Sequence, residues 1–177
     1  IDLKGELFSY FGRAGEPVIA RMREFSVTAR RIDYDRKRQE LFAGGDVSLI
    51  SGEINFRTEE LLVDLAEESL TATGGFTLFA REMEVTGRVL TASLPGGVLT
   101  ATGTVNWRFR DLQGKAEELT YRKDEGKVYL SGAPAAFWGE NYTEGTMMVL
   151  HLETGKIMIT GPVKSKLQPQ GGGTGGD

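Results

Sequence analysis

Five glycines, Gly45, Gly74, Gly103, Gly132 and Gly161, stand 29 residues apart without a gap. A fixed period of this length marks an architecture of repeated supersecondary units and constrains the fold more than any single motif. The flanking columns vary together with the glycines. Four residues before them stand Leu41, Leu70, Leu99, Val128 and Ile157; two before, Ala43, Ala72, Ala101, Leu130 and Ile159; two after, Val47, Phe76, Val105, Pro134 and Val163. Thirteen before stand Ile32, Leu61, Leu90, Leu119 and Met148, and two places later Tyr34, Val63, Ala92, Tyr121 and Leu150.

Each unit therefore reads strand, turn, strand. Alternation of apolar and polar residues, plain in Leu99 to Trp107 and Leu70 to Leu78, is the period of a half-buried strand and not of a helix. The turn falls in polar segments containing Arg38-Gln39, Glu67-Glu68, Gly96-Gly97, Glu125-Gly126 and Thr154-Gly155. A hinge this short favours antiparallel pairing, because parallel partners need a longer return. The periodic glycine is expected to mark a bulge or bend where a long strand turns a corner. Since two strands cannot bury an apolar face alone, the units must stack into a long, folded-over sheet.

One domain is expected from 177 residues, 40% of them apolar, with 24 glycines against five prolines favouring strands and tight turns. Residues 1–24 fit the columns poorly and read as a strand or cap region, with a turn near Gly12 to Pro17. Residues 25–167 carry the repeat. Residues 168–177, with Pro169 and the run from Gly171 to Gly176, read as a disordered glycine-rich tail. The opening Ile1, where an intact product would have Met, suggests a removed signal or anchor.

A formal charge of −4 gives no electrostatic footprint for nucleic acid. The absence of cysteine excludes thiol catalysis, thiolate metal sites and a disulfide framework. The single histidine, His151, lies in a polar column shared with Asp35, Asp64, Ser93 and Arg122 and is read as an exposed strand residue. With one histidine and no cysteine, a zinc site would rest on carboxylates, which zinc rarely accepts alone. No Gly-x-Ser-x-Gly elbow or phosphate loop is present, so neither a catalytic constellation, nor a metal, nor a cofactor is implied.

The segments Ala116 to Tyr121 (AEELTY), Lys127 to Gly132 (KVYLSG) and Leu150 to Gly161 (LHLETGKIMITG) resemble the OstA-like, LptA-type domain of lipopolysaccharide-transport proteins. The pattern returns 87 residues upstream in Ala29 to Tyr34 (ARRIDY), Glu40 to Gly45 (ELFAGG) and Leu62 to Leu65 (LVDL), and covers roughly residues 25–166. The resemblance implies an antiparallel, V-shaped β-jellyroll whose apolar interior carries the acyl chains of lipopolysaccharide across the periplasm. It implies lipopolysaccharide or lipid A and other OstA-like domains as partners. Three kinds of protein share the domain: a soluble periplasmic bridge, a membrane-anchored component, and the N-terminal part of an outer-membrane receiver. The bridge is ranked first, because nearly the whole chain is repeat.

The bulky inward positions expected to line a lipid groove are Leu61, Leu70, Phe76, Leu78, Leu99, Val105, Trp107, Leu119, Tyr121 and Val128. The same residues would serve equally to fill a sandwich core, so a non-lipid structural module stays open, as does a polysaccharide-acting parallel solenoid, which would need carboxylates in an inward column. Arg30, Arg31, Arg36, Lys37 and Arg38 could meet headgroup phosphates but read as solvated surface. An open stack exposes an edge strand at each end, which allows head-to-tail association, while Lys164 and Lys166 on the last strand would make that edge selective.

Overall fold

In the computed structural model, residues 7–11, 16–21 and 26–167 are described, and among them the regular structure is entirely β. In chain order the strands are β1 (Leu7–Phe11), β2 (Val18–Arg21), β3 (Ser26–Ala29), β4 (Arg31–Asp35), β5 (Glu40–Ser51), β6 (Ile54–Asp64), β7 (Ser69–Ala80), β8 (Met83–Gly87) and β9 (Val89–Ser93). They continue with β10 (Val98–Phe109), β11 (Leu112–Arg122), β12 (Lys127–Ser131), β13 (Ala135–Trp138), β14 (Asn141–Glu144), β15 (Met147–His151), β16 (Ile157–Thr160) and β17 (Lys164–Lys166). All belong to one hydrogen-bonded sheet. Every pairing is antiparallel, the arrangement that short hinges favour; β5–β6, β6–β7 and β10–β11 are the longest.

The sheet is a meander of long strands, each crossing a central bend. Some cross it unbroken, as β5, β6, β7, β10 and β11 do; others break there, as β8 and β9 do at Arg88. One half of the sheet runs from β1 and β4 through β9, β12 and β15 to β16. The other runs from β2 and β3 through β8, β13 and β14 to β17. Four-residue turns at 36–39, 65–68, 94–97 and 123–126 rim the first half, and two-residue turns at 52–53, 81–82, 110–111 and 139–140 rim the second.

The bend has a local cause. The five periodic glycines all have positive φ, from 73° to 91°, and three are followed by a non-glycine residue also in the left-handed region: Asp46, Thr104 and Ala133. Two such residues in succession break the pleat, and the ladder registers shift there, between Gly44 and Val47 and between Thr102 and Val105. Glycine is needed at Gly103 for two reasons. Its φ of 81° is strained for an L side chain, and a Cβ there would lie 2.9 Å from Cβ of Arg88 on the adjacent strand. The Arg88 amide instead donates to Thr102 O at 3.0 Å, tying the bend across strands.

Each half has one buried and one exposed face, as in the β5 pattern where Leu41, Ala43, Val47 and Leu49 are buried. Among the described residues nothing but the other half is available to cover that face, so the sheet is folded onto itself at the glycine bend. The buried side chains accordingly form one cluster, from Val18 on β2 to Leu150 on β15, drawn from both halves.

The two-residue turns are absent from the sequence reading. Gly52 and Gly139 occupy the left-handed position in two of them, but Arg81 and Arg110 occupy it in the others, each at φ 54°. Arginine gives no turn signal of the kind Asn-Gly does. Its role there is visible only in three dimensions: Arg81 pairs with Glu53 of the preceding turn at 2.8 Å, and Arg110 with Glu82 at 2.7 Å. The cap reading falls partly on described residues, where β1 pairs with β4 and β2 with β3. The segment 12–15 of the expected turn and the tail 168–177 lie outside the described residues.

Candidate functional site

The interior between the two halves is where the ten sequence-selected residues meet. Leu61, Phe76, Leu78, Val105, Trp107, Leu119 and Val128 are buried in it; Leu70, Leu99 and Tyr121 are half-buried and pack against it. Leu70, Leu99 and Tyr121 lie two residues from the four-residue turns, beside half-buried Tyr34, Leu65, Leu152 and Ile157, while Val128, at the same distance from its turn, is buried. They form an apolar lip. Half-buried Met83, Leu112 and Trp138 lie on the facing rim beside the two-residue turns. The rims approach each other at one end, where a Cβ placed on Gly155 would lie 4.0 Å from the Phe109 ring and 3.7 Å from the Arg110 guanidinium.

Sequence reasoning named only part of this interior. Leu41, Phe56, Leu90, Phe109, Leu130, Met148 and Leu150 are equally buried, and several stand in the same periodic columns. Phe56 stacks on Phe76, with ring centroids 6.0 Å apart and planes inclined by 28°. Trp107 lies over Gly114, where a Cβ would come within 2.5 Å of the indole; the glycine makes room for the largest side chain of the core. The Trp107 Nε1 donor is buried with no partner among the described residues.

The interior also takes two polar side chains, which lie outside the apolar columns read from the sequence. Thr58 and Thr143 are buried. The Thr58 hydroxyl lies 2.8 Å from Gly75 O, 3.0 Å from Thr73 O and 3.3 Å from Glu60 O, so one donor sits among the carbonyls around the bulge. Thr143 shares a 2.8 Å hydrogen bond with Ser165 across β14 and β17. His151 corrects the sequence reading: it is half-buried with Nε2 enclosed and without a partner among the described residues, not an exposed strand residue.

The charges lie on the outer face and at the turns. Arg30 pairs with Asp46 beside the first bend, and Arg38 lies 3.8 Å from Asp35 within its turn. Hydrogen bonding from the Tyr129 hydroxyl holds the Glu125 carboxyl below the usual range, with Lys127 and Arg122 acting in the same direction, and raises the tyrosine in turn. Glu144 is lowered likewise by Tyr142 and then by Lys164, and Tyr142 is raised. No group of three or more His, Cys, Asp and Glu side chains placed to hold a metal occurs among the described residues. No helix among them is long and apolar enough to cross a membrane.

A folded-over antiparallel sheet around an elongated apolar interior is the architecture of a known class. The chain is similar to LptH, the LptA-homologous periplasmic component of the lipopolysaccharide transport device of Pseudomonas aeruginosa. The TM-score is 0.59 at 15% identity, over 66% of this chain and 95% of that one. No curated protein matches the chain in sequence. Residues 26–156 match the model of the LptA/LptD N-terminal domain family of lipopolysaccharide-transport proteins. The chain belongs to this family, and its role lies in lipopolysaccharide transport.

Proposed function

We propose that the chain is a non-catalytic periplasmic carrier which holds the acyl chains of lipopolysaccharide between the two halves of its sheet, as one element of a bridge between the inner and outer membranes. The carrying observation is the interior itself: a single apolar cluster running from β2 to β15 with no ionisable side chain among its buried members. Such a lining discriminates by water exclusion alone, each buried methylene contributing about 0.8 kcal/mol. The packed interior described above is the lipid-free state, and entry requires the rims to part along the lip of Leu70, Leu99 and Tyr121. The ten candidates then have separate roles, the three half-buried ones as the first contact and the seven buried ones as the lining.

Native mass spectrometry of the protein incubated with lipopolysaccharide or lipid A tests this. The wild type is expected to retain lipid, and Leu99→Asp or Tyr121→Asp, at half-buried positions, to lose it while remaining folded by circular dichroism. A wild type that retains none, under conditions where an established carrier does, would leave the interior as a packed core and the chain as a structural module.

Assembly follows from the edges. Among the described residues β16 and β17 at one end, and β1 and β2 at the other, each pair on one side only. Another OstA-like domain, or a second copy head to tail, could extend the sheet there. A strict monomer in sedimentation at high concentration would count against self-association.

A further inference from the structure

The outer face of the second half-sheet carries a depression of about 390 Å³, whose lining shares only Trp107 with the candidates of the interior site. It is built from register. Asn106 and Arg108 on β10 stand opposite Lys115 and Gln113 on β11, Gln113 stands opposite Phe137 on β13, and Glu84 on β8 pairs with Arg108 at 3.5 Å. The Phe137 ring lies 5.0 Å from that of Tyr142, whose hydroxyl is held by Glu144, itself 3.3 Å from Lys164. The aromatic wall is therefore fixed in place, whereas Asn106 and Gln113 make no side-chain hydrogen bond among the described residues.

We propose that this depression binds the phosphorylated oligosaccharide headgroup of the lipid whose acyl chains occupy the interior. The inference rests on the carrier reading above and adds a second contact for the same ligand.

The chemistry is that of a sugar phosphate. An aromatic face suits the C–H surface of a pyranose ring, and amide side chains offer a donor and an acceptor together, matching hydroxyl groups. Arginine and lysine suit phosphate. Along these two outward rows Arg108, Lys115, Lys164 and Lys166 face only Glu84 and Glu144, a cationic balance on a chain whose net charge is −4. A peptide strand is a poorer fit, because the depression lies in mid-sheet, where the backbone groups are already used by the ladders. Arg108 and Gln113 stand two residues from the 110–111 turn, about 7 Å at the rise of a strand. A headgroup leaving the interior between the rims can thus fold over that turn onto the outer face.

Titration of ¹⁵N-labelled protein with fully deacylated lipopolysaccharide, which has the headgroup and no acyl chains, tests the site directly. Maltoheptaose serves as an uncharged saccharide control. Amide shifts are expected on β8, β10, β11 and β13 with the first probe and not the second. Lys115→Glu with Gln113→Ala should weaken binding about tenfold or more, the effect of losing one charged contact. Asn106→Ala, also exposed, provides a second variant if the first pair disturbs folding. Shifts confined to the turns, equal shifts with maltoheptaose or with poly-glutamate, or an affinity unchanged in both variants would overturn the proposal. Whole-lipid retention by native mass spectrometry is read in parallel. If wild type fails to retain lipid but titrates with the headgroup, the carrier reading fails and this site stands; retention without titration has the opposite meaning.

Discussion

The Thr58 hydroxyl is the residue on which the interior depends most for its polar accounting. It is 7% exposed and supplies, among the described residues, the one side-chain donor within reach of Gly75 O, Thr73 O and Glu60 O. Thr58→Val keeps the shape and removes the donor, leaving a buried carbonyl unsatisfied at a cost of about 1–3 kcal/mol. Thr58→Ser keeps the bond and should lose less. Urea unfolding of the two variants checks the order. At Gly103, alanine would sit at φ 81° against Arg88, and we expect about 2 kcal/mol of destabilisation from the left-handed strain and the contact together. Thr58 was not legible in the sequence, because a threonine in a strand looks like any outward threonine until the bulge opposite it is known. Gly103 was legible, since period and glycine coincide.

At the scale of elements, the C-terminal pairing of β14 with β17 is short and depends on side chains: Thr143 with Ser165, Glu144 with Lys164, and Tyr142 with Glu144. The Glu144 carboxyl is lowered in the folded state, first by the Tyr142 hydroxyl and then by Lys164. A depressed carboxyl contributes stability that is present above its unfolded pKa and is lost as pH falls through the folded one. Tyr142 is raised by Glu144, so its contribution holds below the ordinary tyrosine range and is lost as pH rises through the folded value. Hydrogen exchange at residues 164–166, corrected for intrinsic rate, should therefore be slowest between the carboxylate and tyrosine ranges and quicken on either side. Tyr142→Phe should flatten that profile. The strands themselves were readable from alternation, and so were the four-residue turns with their polar and glycine residues. The two-residue turns at Arg81 and Arg110 were not, because their stabilising partners, Glu53 and Glu82, belong to the neighbouring hairpin 28 residues away.

For the whole molecule, the carrier reading requires that the two rims separate. The chain contains no cysteine, so a pair introduced at Gly155 and Arg110, where the rims approach, can be bridged by a short bis-maleimide. Bridged protein should fail to take up lipid, while the same variant left unbridged retains it in native mass spectrometry. Uptake by the bridged form would show that lipid enters elsewhere. Sequence alone determined the class of fold, since a 29-residue period of apolar columns at spacing two calls for stacked strands, the short hinges favour antiparallel pairing, and a recurring glycine suits a bend in every strand. It also determined which residues face inward, from Leu61 to Val128, because strand alternation leaves two faces and only one of them is apolar. The tertiary structure decided what lies around those faces. Folding the sheet at its glycine line set Leu70, Leu99 and Tyr121 at the lip and Trp107 in the depth, a distinction the shared apolar columns cannot hold. It also brought Asn106, Gln113, Lys115 and Phe137 into one depression across three strands, because cross-strand neighbours are fixed by register and turn length, which no linear pattern records.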